Sequence, residues 1–355
     1  MLFADHPHDE RAPPPRLQDS LNLNSIDILH YTMTSRSIML RFGLLCGLLY
    51  GATLSISATE TLAQGSAEGG PEPAAAAVAF DETNPSIALK GSVWRTKPGI
   101  VFLRTPVGLL TLSSKTTLKD MRASQEVSFW IHGPHMAVEI RKRADGSLVH
   151  RYLSGPFSSS GDTTALARWT PEGEKTVHVG TYEAQLSALK DGNPVTVEVD
   201  ATDTVVGVHD LQFDLQIAQV PTSGADVHIL LTGTVAKLKS NFIFFRTPVG
   251  MINVNAKIGI RNAKMGQTMT LHVHQHHVVA DLTPANGAAP AHRFITGPLQ
   301  FATPDHTSMT LWTPEGQQTF PADRGKAALA GTKEGSPINV ELNGQGTVVD
   351  IQRLN

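Results

Sequence analysis

The 355-residue chain has one cysteine, Cys46. It lies inside an apolar amino-terminal segment, so a chain that has lost that segment carries no thiol. Disulfides, thiolate metal sites and a cysteine nucleophile are then excluded together. Charge is scarce as well. Charged residues make up 17% of the chain, against roughly a quarter in ordinary soluble proteins. The net charge is −3, which is not the basic footprint that binding to nucleic acid needs. Enzyme signatures are missing too: there is no Gly-x-Ser-x-Gly elbow, no His-Glu-x-x-His, no phosphate-binding glycine loop and no calcium loop. What abounds is turn chemistry, with 30 glycines and 22 prolines. That composition points to short strands and many turns.

The amino terminus reads as an export signal. Arg36 and Arg41 precede an apolar run, Phe42–Leu54, and small residues follow that allow cleavage after Ala58, Ala63 or Gly65. The run is short of the about 20 residues a membrane span needs. Residues 36–65 are therefore read as a signal peptide, or alternatively as an uncleaved anchor in the inner membrane. Residues 1–35 are polar and Pro-rich and read as a disordered extension or a misplaced start, with translation beginning at Met33 or Met39. The Gly/Ala/Pro-rich residues 66–87 read as a linker.

The rest is one module used twice. Phe102-Leu103-Arg104-Thr105-Pro106-Val107-Gly108 recurs 142 residues later as Phe244-Phe245-Arg246-Thr247-Pro248-Val249-Gly250. Arg151-Tyr152-Leu153-Ser154-Gly155-Pro156 recurs at the same offset as Arg293-Phe294-Ile295-Thr296-Gly297-Pro298. One residue further out of step, Trp169-Thr170-Pro171-Glu172-Gly173 matches Trp312-Thr313-Pro314-Glu315-Gly316. Each module also looks internally doubled, because Thr-Pro-x-Gly opens at Thr105, Thr170, Thr247 and Thr313. The expected division is a first module 88–218 with units 88–153 and 154–218, a linker 219–229, and a second module 230–355 with units 230–297 and 298–355.

Period-two alternation makes the segments strands. Val127, Phe129 and Ile131 alternate with Ser128, Trp130 and His132, and Val195, Val197 and Val199 alternate with Thr196, Glu198 and Asp200. Thr-Pro-x-Gly is turn chemistry and would join antiparallel strands such as Ile100–Arg104 and Leu109–Leu112. One short helical turn per unit is expected, for example over Ala184–Leu189. Units of this size must hide their strand edges. The expected fold is all-β: tandem small antiparallel OB-like β-barrels, in two duplicated modules of two units each.

These motifs resemble those of bacterial exported OB-fold-like repeat domains of unknown function. The resemblance rests on the openings Gly91-Ser92-Val93 and Gly233-Thr234-Val235, and on the four Thr-Pro-x-Gly turns. It also rests on Lys190-Asp191-Gly192-Asn193-Pro194-Val195 and Lys264-Met265-Gly266-Gln267-Thr268-Met269. The first unit departs from the pattern at Ser124, where glycine is expected. The resemblance implies fold and compartment, and no activity.

The densest polar group is His272-Val273-His274-Gln275-His276-His277. With Met269, Leu271 and Val273 inward, His272 and His274 share the outward face, with Cα atoms about 7 Å apart. His276 or His277, in the following turn, could fold back as a third ligand, and Asp281 could add an oxygen. Imidazoles suit zinc, copper or nickel. The alternative is a set of surface histidines. The first module keeps only His132 and His135 at these places. Arg104 and Arg246, with Trp169 and Trp312, could line a groove for an anionic or sugar ligand, or could serve only the turns they flank.

The expected function is an exported, non-catalytic binding or structural protein of the cell envelope, periplasmic or secreted. Its partner would be an envelope protein or polymer. A periplasmic Zn, Cu or Ni binding protein built on the His272–His277 cluster is the alternative, and a hydrolase with an unrecognised site is a third.

Overall fold

The computed structural model describes residues 84–354, except 117, 119, 120 and 159–163. The expected extension, the signal segment with Cys46 and nearly all of the 66–87 linker lie outside the described residues. Among the described residues no helix is long and apolar enough to cross a membrane.

The protein is mostly β. The first module holds β1 (Ser86–Lys97), β2 (Ile100–Thr105), β3 (Gly108–Ser113), β4 (Glu126–His132), β5 (His135–Arg141) and β6 (Leu148–Pro156). It continues with β7 (Ala165–Thr170), β8 (Gly173–His178), α1 (Glu183–Ser187), β9 (Pro194–Val199) and β10 (Val205–His209). The connecting strand is β11 (Gln212–Ile217). The second module repeats the order with β12 (Val227–Lys239), β13 (Phe242–Thr247), β14 (Gly250–Asn255), β15 (Thr268–His274), β16 (His277–Thr283) and β17 (His292–Pro298). It ends with β18 (Gln300–Phe301), β19 (Ser308–Thr313), β20 (Gly316–Pro321), α2 (Lys326–Leu329), β21 (Pro337–Asn343) and β22 (Val348–Arg353).

The modules are not separate beads. Seventeen strands from both belong to one mixed sheet. The amino-terminal half of β1 pairs antiparallel with that of β12, with Ile87 opposite Ile229. These two isoleucines are the same position of the repeat, 142 residues apart, so a pseudo-twofold axis passes between them. From this seam the hydrogen bonding runs β1–β2–β3–β11 on one side and β12–β13–β14 on the other. β11 pairs antiparallel with β3 and parallel with β14, and so joins the two ends. The cycle β1–β2–β3–β11–β14–β13–β12 therefore returns to its start. β3 and β14 would otherwise present open edges, and one connecting strand satisfies both.

The interior follows from the alternation. Val127, Phe129 and Ile131 of β4 are buried with Met269, Leu271 and Val273 of β15 in one apolar cluster that spans both modules. Ile87, Ile229, Leu215, Ile252 and Phe245 belong to it as well. The other face of β5–β6–β9 is covered by the β7–β8 hairpin and α1, where Val195, Val197 and Val199 meet Leu166, Val177 and Leu186. β18–β20 and α2 cover β16–β17–β21 in the same way. Because the sheet is covered on both sides there, β5 and β16 are buried along their whole middle rather than on alternate residues.

All four Thr-Pro-x-Gly segments are hairpin turns, and each has a bond the spacing did not announce. The threonine hydroxyl donates to the glycine carbonyl three residues on, at 3.0 Å (Thr105), 2.7 Å (Thr170), 2.8 Å (Thr247) and 2.8 Å (Thr313). The glycines have φ of +143° (Gly108), +119° (Gly173), +128° (Gly250) and +113° (Gly316), a region open to glycine and strained for other residues. Only at Gly108 would an added Cβ run into the backbone carbonyl of Gln216 on β11, whereas Gly316 has open space. Gly316→Ala is thus expected to lose about 1–3 kcal/mol from backbone strain alone. Gly108→Ala should lose clearly more, because it also pushes β11 off β3. Paired urea titrations check this, and equal losses would mean that β11 is not seated there.

Candidate functional site

The histidines predicted as a metal cluster do gather, but around a tryptophan. His274 ends β15 and lies opposite His277, the first residue of β16. Gln275, with φ +50°, turns the chain between them. The hairpin β19–β20 brings Trp312 over this end. The His274 ring stacks on Trp312 at 4.9 Å between centroids, and His277 lies 5.9 Å from it. His276 and His277 are 4.4 Å apart. β12 adds a histidine the sequence reading missed: His228 pairs with His274 across the strands, with rings 6.5 Å apart. His272 shares the outward face with His274, as expected, and sits opposite Leu230 and Val279.

The first module builds the same contact. His132 stacks on Trp169 at 5.2 Å and 15°. The second histidine of each hairpin has a seat. An added Cβ on Gly155 would fall 2.6 Å from His135 Nδ1, and one on Gly297 would strike the ring of His277. This accounts for the glycine in the repeated Ser/Thr-Gly-Pro segment.

Three of the imidazoles are held below the ordinary histidine range. Burial, then the neighbouring His274 and His272, draws His228 down to about 4. Burial, then His276 and His274, draws His277 down to about 4. His274 is lowered by burial and His276. An unfolded histidine protonates near 6.5. Between that value and about 4 the unfolded chain therefore binds more protons than the folded one, and stability falls as pH drops through this window. The melting temperature is expected to decline steadily from pH 6.5 to 4, and less in His277→Gln. A flat profile over that range in the unaltered protein would refute the burial of these rings.

Neutral rings suit a metal, but the donor set does not converge. Among the described residues, no group of three or more His, Cys, Asp or Glu is placed to hold a metal ion together. Asp281, read as an added oxygen ligand, is four residues along β16 from His277, about 13 Å at strand spacing. Both its oxygens are taken by Arg293, through Nε at 2.7 Å and Nη2 at 2.9 Å. Arg293 also reaches Glu315 of the hairpin turn at 2.9 Å, and these carboxylates raise its already high basicity. The first module keeps the pair as Arg151 and Glu139, at 2.8 Å.

The arginines and tryptophans expected to share a groove lie apart. Arg104 sits opposite Ser92 of β1, whereas His132, which carries Trp169, sits opposite Ser86. Six strand residues separate them, about 20 Å. The second module repeats this separation, with Arg246 opposite Thr234 and His274 opposite His228. Arg104 instead lies over the exposed ring of Trp94, at 4.7 Å.

A further polar row escaped the sequence reading. Glu198 of β9 accepts from His150 at 2.5 Å and from His209 at 2.9 Å. Burial pushes this carboxyl up, but the two histidine hydrogen bonds outweigh it and hold it down at about 2. An ionised carboxylate only accepts, so His209 Nε2 carries a proton, and its Nδ1 is hydrogen-bonded to the Thr116 hydroxyl, 2.7 Å away. The order hydroxyl, imidazole, carboxylate is that of an activated nucleophile. The backbone around it is already committed, however. The Thr116 N–H donates to Ser114 Oγ and the Lys115 N–H to Asp210, leaving neither to hold an oxyanion. The row acts as a clasp between the end of β3 and the end of β10. The second module retains its centre as His292 and Glu341, at 2.9 Å, with Arg261 in the place of the second histidine.

Neither the protein-family models nor the curated protein sequences give a match to this chain.

Proposed function

We propose that the chain is an exported, non-catalytic binding or structural protein of the cell envelope, periplasmic or secreted. It engages an envelope protein or polymer through a surface presented twice. The observation that carries this reading is the duplicated contact of His132 on Trp169 and His274 on Trp312. Two equivalent aromatic positions on one rigid sheet favour a partner that is itself repeated, because the second contact then forms at high effective concentration. The finer OB-like reading belongs to this proposal, supported by the long first strands β1 and β12, each shared between two antiparallel neighbours.

The test is co-sedimentation of the full chain with isolated envelope polymer. Trp169→Ala and Trp312→Ala should each weaken sedimentation, and the double variant should lose it by more than the two singles suggest. A double variant that sediments like the unaltered chain overturns the proposal.

A second reading is transition-metal binding at the turn. It is favoured by the buried Nδ1 atoms of His276 and His277, neither of which has a hydrogen-bond partner among the described residues. Zinc or copper titration calorimetry tests it. Binding that survives replacement of His276 and His277 by alanine removes it.

A further inference from the structure

Arg168 lies on the inward side of β7 and is 3% exposed. Its Nη1 donates to the carbonyls of Ala167 at 2.9 Å and Pro156 at 3.4 Å. Among the described residues its Nε and Nη2 have no hydrogen-bond partner. These two nitrogens form one edge of the planar guanidinium, and that edge takes a carboxylate through two parallel bonds. The second module shows the same edge occupied: Arg293 gives Nε and Nη2 to the two oxygens of Asp281.

The fold does not require a cation at this position. The equivalent residue of the second module is Leu311, 1% exposed and packed in the apolar layer under its hairpin. Burial brings Arg168 down only to about 10, so it remains charged at neutral pH. His135 supplies no countercharge. Burial, then Arg168 and His132, holds it below its ordinary range against the weaker pull of Glu174. An unpaired buried charge with three of its five N–H donors unused is strongly unfavourable unless an anion completes it. His135 is near enough to Arg168 for their charges to interact and is half-exposed, and His132 beside it at the hairpin end is exposed.

We propose that the first module binds a small free carboxylate on the Nε/Nη2 edge of Arg168. The near-complete burial favours a small free acid over a side chain of a folded partner. The flat edge favours a planar carboxylate over a tetrahedral phosphate. This site is independent of the aromatic contacts proposed above, and its failure leaves them untouched.

The experiment is thermal unfolding of the full chain at fixed ionic strength, with chloride replaced stepwise by acetate, by phosphate, or by a short Asp-containing peptide. The unaltered protein should gain melting temperature with acetate and saturate. Phosphate and the peptide should do markedly less. Arg168→Leu, which copies Leu311 of the second module, should melt in chloride at or above the unaltered protein and ignore acetate. Arg168→Met is the second variant should leucine fail to fold. Three results overturn the proposal: no acetate response in the unaltered protein, an equal response in the variants, or phosphate or the peptide matching acetate. Variants that are less stable, with no acetate response anywhere, would place the counterion of Arg168 within the chain itself.

Discussion

Ile229→Ala is expected to destabilise the whole protein by about 2–5 kcal/mol, the range for emptying a buried isoleucine site. Ile229 is fully buried, Ile87 is 1% exposed, and they face each other on the pseudo-twofold axis. Ile87→Ala should cost the same, because the two sites are one position of the repeat seen from either side. The double variant should cost less than the sum, since neighbours across a strand pair share the cavity that the first truncation opens. Urea unfolding of the two single variants and the double measures all three. The distinguishing feature is reach: truncation in one module should lower the stability of both. If Ile229→Ala left the first module's transition unmoved, the seam would be a contact and not a foundation.

Arg293→Ala carries the second large effect, a loss of about 3–5 kcal/mol. Removing the arginine strands the nearly buried Asp281, both of whose oxygens it holds, and frees Glu315 at the hairpin tip. Arg293→Lys should recover little, because an ammonium cannot span both oxygens and the hairpin carboxylate. The β19–β20 hairpin should loosen first, and with it the Trp312 contact to His274. Quenching of Trp312 fluorescence in a variant lacking the other tryptophans reads this directly. Arg293→Met that melts like the unaltered protein would show that the pair is dispensable.

Much of the fold was legible. The alternation at Val127, Phe129 and Ile131 gave β4 its buried face, and Thr-Pro-x-Gly marked all four turns, because both signals are local. The joining of the modules was not legible. It depends on Ile87 meeting Ile229 and on β11 choosing β3 and β14, which are long-range choices that no residue of β11 announces. The site divides the same way. His272 and His274 could be placed on one face by counting, but His228 and Trp312 arrive from other strands. Asp281 looked like a metal ligand because its cross-strand arginine lies twelve residues on. The His150–Glu198 pair could have been found: His150 and His292 directly precede the repeated Arg151 and Arg293, and extending the repeat by one residue exposes them. Arg168 was passed over because it occupies the place of a leucine, and only a map of burial shows that to be unusual.

One continuous sheet should make the two modules a single cooperative body. Three of the four tryptophans (Trp94, Trp130 and Trp169) lie in the first module and Trp312 in the second, so two phenylalanine-substituted variants can report each module separately. Urea unfolding of the full chain followed from each side should give one shared midpoint and slope. Two midpoints, with one module unfolding while the other stays folded, would show that the seam does not couple them.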